Sequence, residues 1–263
     1  MSLTLGDDFR IAVDKYLRAF LCKGVPSTFV SLKFLYNDPQ KRSIIQDLAE
    51  SYLASLKSDR TFPPPLETTS QQPNGTSDTA EPPTTFLWTL YFLALHYAHP
   101  VSARDVTKSL ALIEEAIAHT PTLVELHLTK ARLLKYQGDL SAAVDAIMVA
   151  RDLDMQDRFV NTKVGKYLLR CNRNDEALQI LKEFTRPDSP GGPLADLTDM
   201  QCMWFAIEDG ESYMRQKKYG LALKRFHTIW KVQSPIRGIN CSILKNGKKI
   251  NTISIPTPFV KDQ

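Results

Sequence analysis

No run of apolar residues in this chain approaches the roughly 20 needed to span a bilayer, so no membrane crossing is expected. Four cysteines, Cys22, Cys171, Cys202 and Cys241, stand far apart, with no C-x-x-C pair and no histidine at ligand spacing. That predicts neither a metal site nor a redox pair. Reduced, mostly buried thiols in a cytosolic setting are expected instead. The sequence also lacks a glycine-lysine phosphate loop, a G-x-S-x-G elbow, an H-E-x-x-H pair and a dinucleotide glycine fingerprint. His96, His99, His119, His127 and His227 are scattered and share no spacing with carboxylates. Glu114 and Glu115 are adjacent and so point to different sides of a helix, which rules out a paired acid and base. No catalytic residue is expected. The opening M-S-L-T-L-G-D-D carries acids where a signal peptide carries bases, so secretory export is not predicted. A net charge of +4 is too small to argue for direct DNA binding.

What is present is a repeat. Residues 120–154 read as two short amphipathic helices joined by a tight Gln137-Gly138-Asp139 turn. Small residues (Ala131, Ala143, Ala150) stand where helices must approach closely, with larger apolar ones (Leu134, Ile147) between them. This is the pattern of a tetratricopeptide repeat of about 34 residues. One period after Ala143 comes Ala177; Gly165 takes the place of Ala131, Leu168 of Leu134 and Leu181 of Ile147. After a longer gap Gly210, Tyr213, Ala222 and Phe226 repeat the arrangement. The predicted fold is all-α: a solenoid of tetratricopeptide-like helical hairpins wound as a right-handed superhelix.

The rest of the chain falls around these copies. Residues 7–57 predict three N-terminal helices: the first with Phe9, Val13, Leu17 and Phe20 on one face, the second aligning Phe29, Leu32 and Tyr36, the third capped by Asp38-Pro39. Residues 58–83 turn to Pro, Ser, Thr and Asn-Gly, the composition of a disordered surface loop. Residues 84–231 carry the repeats, led by a degenerate pair at 84–119, with Trp88 and Trp204 expected between helices. Residues 232–263 lose the helical period. Alternation around Ile250, Ile253 and Ile255 after Asn246-Gly247 allows a hairpin, and poor order is the expectation.

Charge sorts by helix. The first helices of the two central pairs carry Lys130, Arg132, Lys135, Arg158, Lys163, Lys166 and Arg170 against Glu125 and Asp157. The second helix of the 120–154 pair carries Asp139, Asp145, Asp152 and Asp154 against Arg151. Since first helices line the inner wall in this repeat class, a basic groove for a polyanion or an acidic partner is one reading; merely solvated faces are the other.

Several blocks resemble the auxiliary subunit of the N-terminal acetyltransferase A complex: K-G-V-P-S-T-F-V-S-L-K-F-L-Y-N-D (23–38), E-P-P-T-T-F-L-W (81–88), T-P-T-L-V-E-L-H-L-T-K-A-R (120–132), D-R-F-V-N-T-K-V-G-K-Y-L-L-R (157–170), D-M-Q-C-M-W-F-A-I-E (199–208) and K-Y-G-L-A-L-K-R-F-H (218–227). The resemblance runs over about residues 7–231. It implies a cytoplasmic, non-catalytic scaffold that wraps an acetyl-CoA-dependent catalytic subunit and works on nascent chains at the ribosome. It further implies an inositol hexakisphosphate held between the two subunits, for which Lys130, Arg132, Arg158, Lys163 and Lys166 are the candidates here. Members of that family run several times longer, so the chain reads as a fragment. The alternative is a generic repeat adaptor that binds acidic peptide tails in the basic groove.

Overall fold

The computed structural model describes residues 5–66, 80–102 and 104–236. Twelve α-helices and two 3-10 turns make up this part of the chain, and no strand occurs among the described residues. The chain divides into two compact units, Met1–Asp139 and Leu140–Gln263. The boundary falls just after Gly138, inside the predicted pair at 120–154. Gly138 ends its helix at φ +91°, a left-handed turn that glycine makes without penalty.

The first unit holds α1 (Leu5–Cys22), α2 (Thr28–Leu32), α3 (Pro39–Ser58), α4 (Pro83–Ala98), α5 (Val106–His119) and α6 (Val124–Gln137). Asp38 caps α3 as expected, accepting from the Gln40 and Lys41 amides. The expected second helix is shorter than predicted. It tightens after Leu32 into a 3-10 turn over Lys33–Asn37, and this keeps Phe29, Leu32 and Tyr36 buried on one side. α4 is apolar nearly all round, and it lies against α1, α2, α3 and α5, so almost every face is covered.

The predicted loop at 58–83 is fixed at both flanks; residues 67–79 lie outside the described residues. Ser55 Oγ donates to the Thr61 carbonyl at 2.7 Å, and the Glu81 amide donates to the Arg60 carbonyl at 2.8 Å. The Arg18 guanidinium sits 5.1 Å from the Tyr52 ring and 5.2 Å from the Phe62 ring, holding the entering strand of loop against α1 and α3.

The second unit holds α7 (Leu140–Leu153), α8 (Arg158–Arg170), α9 (Asn174–Lys182), α10 (Gly192–Asp199), α11 (Met203–Arg215) and α12 (Tyr219–Ile236). α8 pairs with α9 and α11 with α12 as antiparallel hairpins, and α8 lies against α11. The proline-glycine stretch read as a loop contains a short helix, α10. Asp196 fixes it, accepting from the Arg186 amide at 3.0 Å and pairing with the Arg186 guanidinium. The last helix continues to Ile236, past the expected end at Lys231; the hairpin reading around Ile250 lies outside the described residues.

Small residues stand at the approaches. Ala131, Ala143, Ala150 and Ala177 are fully buried. A Cβ on Gly165 would lie 3.3 Å from Leu181 Cδ1 and 3.5 Å from Trp204 Cη2. Trp204 thus fills the space between helices as predicted. Trp88 does the same over Gly24.

Candidate functional site

α8 is built to show cations. Asp157 caps it, accepting from the Phe159 amide at 2.7 Å. Val160, Val164, Tyr167 and Leu168 then turn inward, and the 3.6-residue period leaves Phe159, Lys163, Lys166 and Arg170 on the other side. Lys163 Nζ lies 5.2 Å from the centre of the Phe159 ring, and Lys166 Nζ lies 4.9 Å from that of Trp204. Arg158 stands 5.6 Å from the Phe184 ring. Such contacts hold a cation in place. Arg170 differs: its guanidinium donates to both Glu208 oxygens, at 2.7 and 3.2 Å, and that pairing raises its pKa further. This ion pair fixes α8 on α11, so Arg170 belongs to the frame.

A polar network joins α9, α11 and α12. Asn174 Nδ2 donates to Asp209 Oδ1 at 2.6 Å, Arg225 Nε donates to Asp209 Oδ2, and Ser212 Oγ donates to Asn174 Oδ1 at 2.8 Å. Each buried polar atom here has a partner, the condition under which such a network rigidifies a core. Cys202 lies near Lys166 and Arg158, with its thiol pKa raised by burial, though the Phe205 amide and these two cations draw it the other way.

Lys130 and Arg132 lie in the first unit, on α6. Lys130 Nζ is 3.2 Å from Glu114 Oε1, while Arg132 is exposed. Thus three of the five candidates lie on α8 of the second unit and two on α6 of the first. Sequence reasoning missed the rings under the cations (Phe159, Phe184) and Glu208, the partner of Arg170. It also missed Arg104, whose guanidinium lies 4.2 Å from the Tyr136 ring. The conspicuous block Asp199–Glu208 held the one available hint, since Trp204 and Glu208 both sit in it.

His127 and His96 are held by structural hydrogen bonds. His127 Nε2 bonds the Pro121 carbonyl at 2.7 Å. His96, fully buried, joins Tyr36 Oη at 2.7 Å and Gln46 Oε1 at 3.2 Å, and burial pushes its pKa down to about 4, so it is neutral near pH 7. Cys22, Cys171 and Cys202 form no disulfide with one another and are only half-buried, less than expected; Glu81 accepts from the Cys22 thiol, and burial pushes that thiol up to about 11. No group of His, Cys, Asp and Glu that could hold a metal occurs among the described residues. No described helix is long and apolar enough to cross a membrane.

Helical hairpins that offer a face of ring-supported cations define a binding scaffold of the helical-repeat class. Its family is shown by comparison with known proteins. The chain belongs to the family "N-terminal acetyltransferase A, auxiliary subunit", whose profile matches residues 1–237. It is 41% identical over 229 residues to the mouse and human proteins named N-alpha-acetyltransferase 16, NatA auxiliary subunit. It is 40% identical over 225 residues to the Arabidopsis thaliana N-terminal acetyltransferase A complex auxiliary subunit NAA15. These alignments cover 87% and 86% of the chain but only 25% and 23% of the relatives, so the chain spans about a quarter of their length. Among solved structures, one of Naa15/Naa10 bound to HypK-THB matches with a TM-score of 0.72 at 40% identity, covering 90% of this chain and 33% of that one. The family is one of auxiliary rather than catalytic subunits, and the chain is not itself an enzyme.

Proposed function

We propose that the chain is a scaffold segment of an N-terminal acetyltransferase A complex that holds the acetyl-CoA-dependent catalytic subunit, in the cytoplasm and at the ribosome. The observation that carries this reading is a match running through residues 1–237, with 40% identity to a protein solved together with Naa10. The cations of α8 supply the chemistry for an anionic bridge. Lys163 and Lys166 are already posed over rings, so little side-chain order is lost when they meet phosphates. On this reading inositol hexakisphosphate binds Arg158, Lys163 and Lys166 of α8 in the second unit.

Co-purification of the tagged chain from cells tests the main reading. Recovery of an acetyltransferase subunit together with ribosomes is expected, and recovery of chaperones alone would favour a general peptide-tail adaptor. Calorimetry with inositol hexakisphosphate tests the bridge. Binding should fall about tenfold or more in Lys163→Glu/Lys166→Glu, as loss of desolvated charge pairs predicts; unchanged binding removes the bridge and leaves the scaffold standing.

A further inference from the structure

The end of α4 leaves two polar atoms with nothing to bond. His99 caps that helix, and Ser102 closes the 3-10 turn Pro100–Ser102 that follows; the Ser102 amide donates to the His99 carbonyl at 3.0 Å. His99 Nδ1 and Ser102 Oγ are both shut off from solvent, and neither has a hydrogen-bond partner. Buried polar atoms are nearly always paired, because an unpaired one gives up its hydration for nothing. The His99 ring itself is firmly placed. It meets the Tyr36 ring edge-on at 5.2 Å and the Phe29 ring at 5.9 Å.

Three cations converge on this spot. Lys33 opens the 3-10 turn that carries Tyr36, and Arg42 of α3 donates from Nη1 to the Tyr36 carbonyl at 3.3 Å. Arg104 follows Ser102, with its guanidinium 4.2 Å from the Tyr136 ring. All three charges act on His99 and, with burial, hold its pKa down; no carboxylate is among the charges that act on it. The nearby acids are engaged elsewhere. Asp38 caps α3 and pairs with Lys41, Asp105 caps α5, and Glu50 pairs with Lys108.

A water would satisfy the two orphan atoms but leave the three positive charges uncompensated. A carboxylate brings one charge and two oxygens. A phosphate group brings nearly two charges and at least three strong acceptor oxygens. That is enough for the Nδ1–H tautomer of His99, the Ser102 hydroxyl and the guanidinium and ammonium donors together. We propose that Lys33, Arg42, His99, Ser102 and Arg104 form a binding site for a single phosphate group, carried as the free ion or on a phosphorylated side chain. Lys33 and Arg104, both exposed, are the long side chains that shift to admit it. The site shares no residue with the cations of α8, so it does not depend on the anionic bridge or on the scaffold reading.

Histidine ring NMR of the full chain tests this. Inorganic phosphate is titrated at fixed pH and ionic strength against a chloride control, with His99→Gln identifying the His99 signal. That signal should shift and saturate at about millimolar phosphate, and it should do the same in Lys163→Glu/Lys166→Glu. Lys33→Gln/Arg104→Gln, a pair of exposed changes, should weaken binding about tenfold or more, and Ser102→Ala should weaken it less. A peptide carrying one phosphoserine separates the two sources. Binding tighter than that of inorganic phosphate assigns the site to a phosphorylated side chain, and equal or weaker binding assigns it to the free ion. A His99 signal that follows chloride equally, never saturates, or is indifferent to Lys33→Gln/Arg104→Gln overturns the proposal. So does a Ser102→Ala chain that melts higher than the parent and binds phosphate no less tightly, since the orphan hydroxyl would then serve no ligand.

Discussion

The two units solve one packing problem with different side chains. In the first, the interior is filled by large ones: Tyr36, Tyr52, Phe92 and Leu90 are buried, and the Phe29 ring meets the Tyr36 and Phe92 rings edge-on at 5.2 and 5.8 Å. In the second, alanine and glycine sit at the helix crossings, and Ala143, Ala150 and Ala177 expose no surface. Polar groups divide the same way. The first unit buries Asp14 against Tyr52 and His96 against Tyr36, so aromatic hydroxyls satisfy the ionisable groups. The second uses a short-chain net of Asn174, Asp209 and Ser212. Large residues keep helices apart and tolerate variation in sequence, whereas small ones fix a close approach and leave a recurrent mark.

If that contrast is real, truncation hurts the first unit most. Phe92→Ala should cost about 4 kcal/mol in urea unfolding, the range for a buried aromatic that leaves a cavity. A loss under about 1 kcal/mol would mean that the ring cluster is not what holds α2 and α4 together. For the second unit the larger loss comes from its polar net. Asp209→Ala leaves Arg225 and Asn174 without their buried acceptor and should cost about 3 kcal/mol. Asp209→Ala together with Arg225→Met should recover part of that loss, because the stranded charge is gone; no recovery would show that Arg225 contributes little there.

Acid should separate the units in turn. Burial holds His96 at about 4 against an ordinary 6.5, and burial lowers His99 as well. A histidine held neutral by the fold takes up its proton more readily once the chain unfolds. Its contribution is therefore complete above about pH 6.5 and is lost as the pH falls toward 4. Over that window roughly 2–3 kcal/mol should go from the first unit. Glu50 acts only at the acid end, since the Tyr97 hydroxyl lowers its pKa from 4.5. Amide exchange followed from about pH 7 to pH 4.5 should show protection falling in α3 and α4 before α8 and α11. Equal loss in both units would take His96 out of the account.

The same contrast explains what the sequence disclosed. The hairpins of the second unit were legible because Ala177 follows Ala143, and Gly165 follows Ala131, at one 34-residue period, with Gly210 marking a further copy after a longer gap. A helix start was legible at Asp38, where a short acceptor precedes a proline in the first turn. α10 was not legible. Its composition is that of a loop, and what orders it is Asp196 bound to Arg186, a local pairing that no periodicity announces. At the candidate site, sequence reasoning found the basic residues of α8 but could not tell a cation held over a ring from one consumed by a carboxylate. Lys166 over Trp204 and Arg170 on Glu208 are one helical turn apart on α8, and only the partners on α11 distinguish them.

The smallest effect is the sharpest test of the small-residue rule. A Cβ built on Gly210 would lie 2.7 Å from Phe226 Cε1 and 2.9 Å from its Cζ, well inside van der Waals contact. Alanine is the better helix former by about 1 kcal/mol, so Gly210→Ala gains in α11 part of what it loses against α12. Because Phe226 is only half-buried, its ring can turn, and the net cost should be about 1 kcal/mol rather than the several expected of a locked core. Adding Phe226→Leu removes the ring atoms that the new methyl meets, and Gly210→Ala in that background should become neutral or stabilising. A Gly210→Ala chain that is more stable than the parent, with Phe226 in place, would show that α11 and α12 do not need this approach, and the claim that small residues set the spacing of the second unit would fail at its last hairpin.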